Sequence, residues 1–380
     1  MSPRSGRPLI GVIGGYGAVG LSAARSLAAQ GRFRLRIGGR RIEAARACAA
    51  RLDAPAEAMA VDAADTDSLV RFGQGCRIVL NCSGPAYLLA DRARRAAFAA
   101  GADYVDVMDD GSAAAADPDR TAVLSAGLSP GLSGLLPELL AQGLCRGGEF
   151  TGCYAGLGAF TRTGALDYLL SMERGYGTPM AVWRGRVAPG ALGVLEHFTV
   201  PGVPRPLTAH PFLTEELVGR ARVLGLDEAR WYNAFDGSAL LDALNRSQGA
   251  PAAARDLDAG AEALVRASAL DAAGRTPYHV LWGRLEASDQ EGRAVSRSVL
   301  IRGEDGSLLT GAVGAFAAAA VCDGRVPPGV HRASAVLSPQ AVTDWLHRCV
   351  PGVTVHRTTA SPSADVPDTG DGAQVEEGVL

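Results

Sequence analysis

The chain has 380 residues, of which 47% are hydrophobic and 20% charged, with a formal net charge of −3. That length points to two or three domains with sizeable cores, and that charge excludes a general pull toward nucleic acid or an anionic membrane. All 37 residues counted as Lys or Arg are arginine, which excludes Schiff-base catalysis, a lysine general base and a Walker-type phosphate lysine.

The first third alternates short apolar runs with helical patterns. "LIGVIG" (9–14) reads as a strand, "AVGLSAARSLAAQG" (18–31) as a helix ended by glycine, and "FRLRIGG" (33–39) as a second strand before a helix over 42–52. "AEAMAVDA" (56–63) is a weak strand, followed by a helix with Asp65 or Asp67 as N-cap. "RIVLNCSGP" (77–85) is a buried strand stopped by Gly-Pro, and "YLLADRARRAAFAAG" (87–101) an Ala/Arg-rich helix. "DYVDVMDDG" (103–111) and "TAVLSAGLSPGLSG" (121–134) add two more strands with turns. Strands alternating with helices of this length predict βαβ units and a parallel, Rossmann-like sheet, an α/β domain over 7–134.

From about residue 149 to 310 the pattern changes to alternating runs rich in aromatics, such as "EFTGCYAGLGAF" and "PYHVLWGRLEAS". These predict a second, α+β domain over 135–310 with a mostly antiparallel sheet, and helical inserts near 165–176, 214–224 and 238–245. Residues 249–260 read as a surface connection. The acidic, Pro/Ser/Gly-rich tail, 358–380, reads as disordered.

Gly15, Gly17 and Gly20 form G-x-G-x-x-G between a strand and a helix near the N-terminus. Gly15 permits the tight turn, Gly17 close approach of a pyrophosphate and Gly20 close helix–strand packing, with Tyr16, Ala18 and Val19 completing the cradle. The second strand ends "GGRR". Two arginines where an NAD site places an acid predict NADP(H), with Arg40 and Arg41 on the 2′-phosphate. The alternative is that both are solvated surface charges and Glu43 takes the ribose. Asp62, at the end of the third strand, falls near the adenine.

Ligands of such sheets bind beyond the carboxyl ends of the strands. Ser83, Gly84 and Pro85 follow the fourth strand, where Ser83 can position the nicotinamide ring. Tyr87 begins the next helix and can aim its phenol into the cleft. Asp106, Asp109 and Asp110 surround the end of the fifth strand, and one of them, here Asp109 or Asp110, is a candidate proton donor to the nascent amine or a partner for a cationic substrate amine. Both also suit a plain turn before Gly111. Ser129 follows the sixth strand, and Ser133 can cap the next helix. In the second domain Arg162 or Arg174 suits a substrate carboxylate. Further candidates there are Tyr154, Thr161, Thr163, Tyr176, His279 and His197, the last also readable as a structural histidine.

Seven scattered cysteines without C-x-x-C, and no H-x-x-H or H-E-x-x-H, lead us to expect no disulfide framework and no metal. The apolar run after Arg4 and Arg7 is too short for a secretory h-region, and the longest apolar stretch, 311–322, too short to span a bilayer. A cytoplasmic protein that binds neither membrane nor nucleic acid is expected.

"GGYGAVG", "GGR", "VLNCSGP", "AGADYVDV" and "SAGLSPGLSGLLP", in this order, resemble the NAD(P)-binding saccharopine dehydrogenase-like proteins. The resemblance returns in residues 306–355, and it implies that the chain re-enters the first domain over 311–356. It also implies a homodimer through the central sheet, and hydride transfer between a nicotinamide and the carbon of an imine. The absence of lysine departs from relatives that use one in catalysis. We therefore expect an NADPH-dependent reductase of a small-molecule imine (C=N), acting in specialised metabolite biosynthesis. A carbonyl or enoyl reductase on the same scaffold, or a non-catalytic NADP-binding sensor, are the alternatives.

Overall fold

The computed structural model describes residues 6–108, 119–173, 176–249 and 256–360. Its first unit runs β1 (Leu9–Ile13), α1 (Ala18–Ala28), β2 (Arg34–Gly39), α2 (Ile42–Ala49), β3 (Ala56–Ala60), α3 (Thr66–Gly73), β4 (Ile78–Asn81), α4 (Ala86–Ala99), β5 (Asp103–Asp106) and β6 (Thr121–Leu124). α5 (Leu132–Ala141) then leads into the second unit. That unit comprises β7 (Glu149–Leu157), α6 (Arg162–Glu173), β8 (Gly177–Pro179), β9 (Val182–Trp183), β10 (Val187–Ala188), β11 (Leu195–Phe198) and β12 (Leu207–Thr214). It continues with α7 (Glu215–Leu224), β13 (Glu228–Phe235), α8 (Ser238–Gly249), α9 (Leu257–Ala272), β14 (Tyr278–Ser288) and β15 (Ala294–Gly303). The chain closes with α10 (Gly306–Cys322), β16 (Gly329–Arg332), α11 (Ala333–Val336), α12 (Pro339–Cys349) and β17 (Thr354–Ala360).

The first sheet has seven strands in the order β16-β6-β5-β4-β1-β2-β3, all parallel. Every residue of β1, β4, β5 and β6 is buried, as expected of strands covered by helices on both faces. The strand order reverses between β1 and β4, which opens a crevice beyond their carboxyl ends. α3 starts where Asp65 accepts a hydrogen bond from the Asp67 N–H, so Asp65 rather than Asp67 is its cap.

The second sheet follows β10-β9-β13-β7-β14-β15-β17, with β11, β12 and β8 attached beside it. It is mixed: β13 runs parallel to β7, while β14 and β15 are antiparallel. One hydrophobic cluster crosses between the two units, from Val12 and Leu80 through Ala312 and Phe316 of α10 to Phe150 and Leu285. α5 buries Leu132, Leu135, Leu136, Leu139 and Leu140 in it, each contributing roughly 1.5–3 kcal/mol. α10 returns the chain to the first unit by packing on α1. A Cβ on Gly311 would stand 2.4 Å from the Val19 carbonyl oxygen, so only small residues permit this approach.

The second sheet is mostly antiparallel, as expected, with β13 on β7 as its parallel pair. Two expectations are corrected. The return to the first unit does not extend to residue 356, because β17 joins the second sheet along β15, from Thr354 opposite Arg302 to Ala360 opposite Ser296. Residues 358–360 are therefore strand, and the rest of the expected disordered tail, 361–380, lies outside the described residues. β17 is an almost wholly exposed edge strand, so it carries no apolar alternation by which sequence could announce it. Finally, residues 257–272, partly assigned to a surface connection, form the sixteen-residue helix α9.

Candidate active site

The loop between β1 and α1 is shaped by contacts that only glycine allows. The Gly15 N–H donates to the Gly38 carbonyl at 3.0 Å, and the Gly17 N–H to the Gly14 carbonyl at 2.9 Å. A Cβ on Gly20 would lie 2.2 Å from the Gly14 oxygen, and one on Gly15 would lie 2.9 Å from the Val12 oxygen. Gly17, by contrast, has a single neighbour within 4 Å of such a Cβ, the Gly14 oxygen at 3.2 Å. The backbone is thus open to a ligand at Gly17. α1 begins at Ala18 with no side-chain cap, which leaves its first-turn N–H groups available to an anion.

Tyr16 packs at Gly39, where a Cβ would come within 2.3 Å of its ring. Its hydroxyl accepts from the Arg41 N–H at 3.1 Å, and the Arg41 guanidinium lies 5.4 Å from the ring centre. Arg40 and Arg41 are exposed and have no ion-pair partner among the described residues. Glu43 pairs instead with Arg46 at 2.7 Å. Asp62 is exposed just beyond β3, next to Val61, whose N–H donates to the Gly39 carbonyl at 3.1 Å. An open glycine cradle with two exposed guanidiniums that have no ion-pair partner among the described residues at the end of β2 fits a dinucleotide carrying a 2′-phosphate.

Beyond β4, Asn81 accepts from both the Ser83 N–H (3.1 Å) and the Ser83 hydroxyl (2.6 Å), and its amide donates to Asp106 at 2.9 Å. Tyr104 also donates to Asp106, which accepts from the Met108 N–H at 2.9 Å. Asp106 is therefore a buried clasp between the ends of β4 and β5, not a proton donor to a ligand. Pro85 is the N-cap residue of α4. Gly84 packs so tightly that a Cβ would stand 2.5 Å from the Thr163 methyl and 2.8 Å from an Asp167 oxygen.

A cavity of ≈ 570 Å³ opens from this loop toward the second sheet. Gly17, Ala18, Val19 and Ser83 form one wall, and Ser129 and Pro130 a second. Tyr87 and residues of β7, α6, β13 and β14 close the far side. Asp167 of α6 lies there, 8% exposed, and accepts from the Ala86 N–H at 2.6 Å. Burial pushes its carboxyl up to about 6, against the lowering effect of the Ala86 and Tyr87 N–H groups. Tyr154 is hydrogen-bonded to His279 Nδ1 at 2.7 Å. Burial raises the Tyr154 phenol and lowers the His279 imidazole, so both are neutral at pH 7. Below the Ser129-Pro130 wall, Glu216 accepts from the Gly131 N–H (3.2 Å) and the Ser133 hydroxyl (3.1 Å). Burial pushes this carboxyl up to about 7.

The cavity gathers Gly17, Ala18, Val19, Ser83, Tyr87 and Ser129, together with Tyr154, Thr161, Thr163, Tyr176 and His279. It does not gather all that was expected. Arg162 points outward and pairs with Asp258 at 2.7 Å, although its neighbours Thr161 and Thr163 line the wall. His197 is exposed on β11 and outside the cavity lining. It is thus neither a substrate ligand nor a buried structural histidine. Ser133 lies within α5, where it donates to Glu216 rather than capping the helix, whose N-cap is Gly131. Asp109, Asp110 and Arg174 lie outside the described residues. Asp167 and Tyr168 escaped sequence reasoning. "ALDYLL" reads as ordinary helix, and the partner of Asp167 is 81 positions away.

Among the described residues, no group of three or more His, Cys, Asp or Glu could hold a metal ion, and no helix is long and apolar enough to cross a membrane.

Residues 10–125 match the family model of the saccharopine dehydrogenase NADP binding domain. No curated protein matches the chain. Among solved structures, the apo, histidine-tagged saccharopine dehydrogenase (L-Glu forming) from Saccharomyces cerevisiae aligns over 93% of this chain and 100% of its own, with a TM-score of 0.64 and 14% identity. That likeness is one of fold. A short-chain dehydrogenase from Rhodopseudomonas palustris aligns over 27% of this chain and 64% of its own, with a TM-score of 0.24 and 17% identity.

Proposed function

We propose that this chain is a saccharopine dehydrogenase-like, NADP-binding oxidoreductase that reduces a small-molecule imine to an amine, a reading supported by the family model over residues 10–125 and by the fold of the whole. The observation that carries this reading is the continuity of the glycine cradle with the cavity: Gly17, Ala18 and Val19 border the same space as Tyr154, Asp167 and His279. NADPH, when bound, supplies the hydride. The chain's own groups hold and orient. Gly15, Gly17 and Gly20 admit the pyrophosphate, and Arg40 and Arg41 take the 2′-phosphate. Ser83 and Ser129 border the reacting end, and the second domain excludes water and positions the C=N carbon. Tyr87 and Asp167 are the described groups best placed to hold a proton near the nitrogen. A homodimer through the second domain and a place in specialised metabolism are supported by the family resemblance.

One observation favours a second reading. The Tyr154–His279 pair can deliver a proton to a developing alkoxide oxygen, the anion left on the pair then taking a proton back from water, which suits a carbonyl reductase. A substrate panel followed by NADPH absorbance decides. Consumption with imines supports the proposal, and consumption with carbonyls alone overturns it. NADPH binding with no turnover on any imine or carbonyl returns the non-catalytic sensor.

A further inference from the structure

We propose that the substrate this cavity takes is a cationic, carboxylate-free amine or iminium on an apolar body, an inference that rests on the reductase reading and names its substrate class. The wall facing the cradle is aromatic: Tyr154, Phe160, Tyr168, Tyr176, Phe212 and Phe235 line it. Aromatic faces attract cations and accept flat apolar skeletons. Interspersed with them are the carboxylates of Asp167, Asp271 and Asp305.

Each of these acids is held by backbone donors at a helix start. Asp167 binds the Ala86 N–H, Asp271 the Ala239 and Leu240 N–H groups, and Asp305 the Ser307 N–H. None of the three carboxylates has an arginine ion-pair partner among the described residues, although Arg275 donates to the Asp271 backbone carbonyl at 3.2 Å. A fourth acid, Asp236, is neutralised by Arg205 and Arg275. The chain has 37 arginines, yet none of the described ones lines this cavity. Beside the cradle a substrate carboxylate would therefore meet like charge and, among the described residues, no guanidinium fork. A positive nitrogen would meet three anionic walls and six aromatic rings.

The space also has depth. A second cavity of ≈ 690 Å³, whose lining also holds Arg246 and Asp256, shares Tyr168, Ser171, Phe212, Asn233 and Phe235 with the first, so an apolar body can extend away from the cradle between α6 and β12. The charge balance of the reaction agrees. A cationic C=N that gains the hydride of NADPH becomes a neutral amine, its π electrons settling on nitrogen as NADP⁺ forms. The product no longer carries the charge that the walls favour unless it picks up a proton from water.

The test is calorimetric titration at pH 7.5 of the full chain saturated with NADP⁺, using three bicyclic probes of matched size and different charge. These are 1,2,3,4-tetrahydroisoquinoline (cationic), tetralin (neutral) and 1,2,3,4-tetrahydro-2-naphthoate (anionic), with saccharopine as a polycarboxylate comparison. The expected result is a cation roughly 10-fold or more tighter than tetralin, as cation–π and charge pairing in a desolvated site supply, and tighter still than either carboxylate. D305N and D167N keep a side-chain oxygen to accept from the backbone N–H groups, so they should fold and should each weaken the cation about threefold or more, leaving tetralin unchanged. Equal affinity for cation and neutral probe, tighter binding of the naphthoate or saccharopine, absence of binding by all four, or indifference of both variants overturns the proposal. NADPH consumption on a carboxylated imine with rejection of the cation would sink the substrate class and leave the reductase reading intact. Selective cation binding with no imine turnover would do the reverse.

Discussion

Asp167, in a helix of the second domain, accepts a 2.6 Å hydrogen bond from the backbone N–H of Ala86, at the first turn of a helix in the first domain. One carboxylate thus caps a helix of the cofactor domain, borders the cavity and joins the two units. Replacing it by alanine removes the acceptor of the Ala86 and Tyr87 N–H groups. D167A should lose roughly 0.5–2 kcal/mol of stability, whereas D167N, which keeps an acceptor oxygen, should lose distinctly less. Urea denaturation of both variants checks this, and equal losses would mean that the cap contributes nothing.

Arg40 and Arg41 should decide between NADPH and NADH. Hydrogen bonds to a charged phosphate are worth roughly 1.5–3 kcal/mol, so the double variant R40A/R41A should raise the Kd for NADPH by about 10- to 100-fold. NADH has no 2′-phosphate, and its Kd should change little. Fluorescence titration with both nucleotides reads the ratio. An unchanged ratio would place the 2′-phosphate elsewhere.

Gly20 should tolerate no side chain. A Cβ there would stand 2.2 Å from the Gly14 oxygen, a backbone atom, so G20A must push α1 off the loop. We expect a loss on the order of 1–3 kcal/mol in stability and weakened nucleotide binding. By contrast G31A, at a site with open space but φ +66, should cost stability through its backbone alone and leave nucleotide affinity intact. Thermal melts with and without NADP⁺ separate the two effects.

Glu216 makes stability depend on pH. Its carboxyl goes from an ordinary 4.5 in the unfolded chain to about 7 in the fold, mainly through burial. The native state therefore binds this proton more tightly than the unfolded state. The contribution is fully present below about pH 4.5 and is lost as pH rises through about 7, on the order of 3 kcal/mol in all. E216Q keeps an acceptor for the Gly131 N–H without the charge. Its stability relative to the parent should rise between pH 5 and 8, and a pH-independent difference would contradict this account.

Much of the first domain was legible because its signals are local. The apolar run 9–14, the glycines at 15, 17 and 20, and the "GGRR" turn each lie within one strand–turn–helix unit, where steric demand writes itself into neighbouring residues. Six of the seven parallel strands follow from that alternation, while β16 comes from the returning segment, where no strand was expected. The cavity wall was legible only in part. Tyr154 and His279 stand out by residue type in aromatic strands, yet their 2.7 Å contact spans 125 positions.

By itself, then, the sequence determined the cofactor cradle, the parallel sheet and the lack of any lysine chemistry, because these depend on residue identity and short-range geometry. Only the tertiary structure decided where each charge ends up. It turned Arg162 away toward Asp258, buried Asp106 as a clasp, paired β17 with the second sheet and brought Asp167 against Ala86. Burial and long-range pairing set the chemistry of a carboxylate or a guanidinium, and neither is a property of a residue's neighbours in the chain.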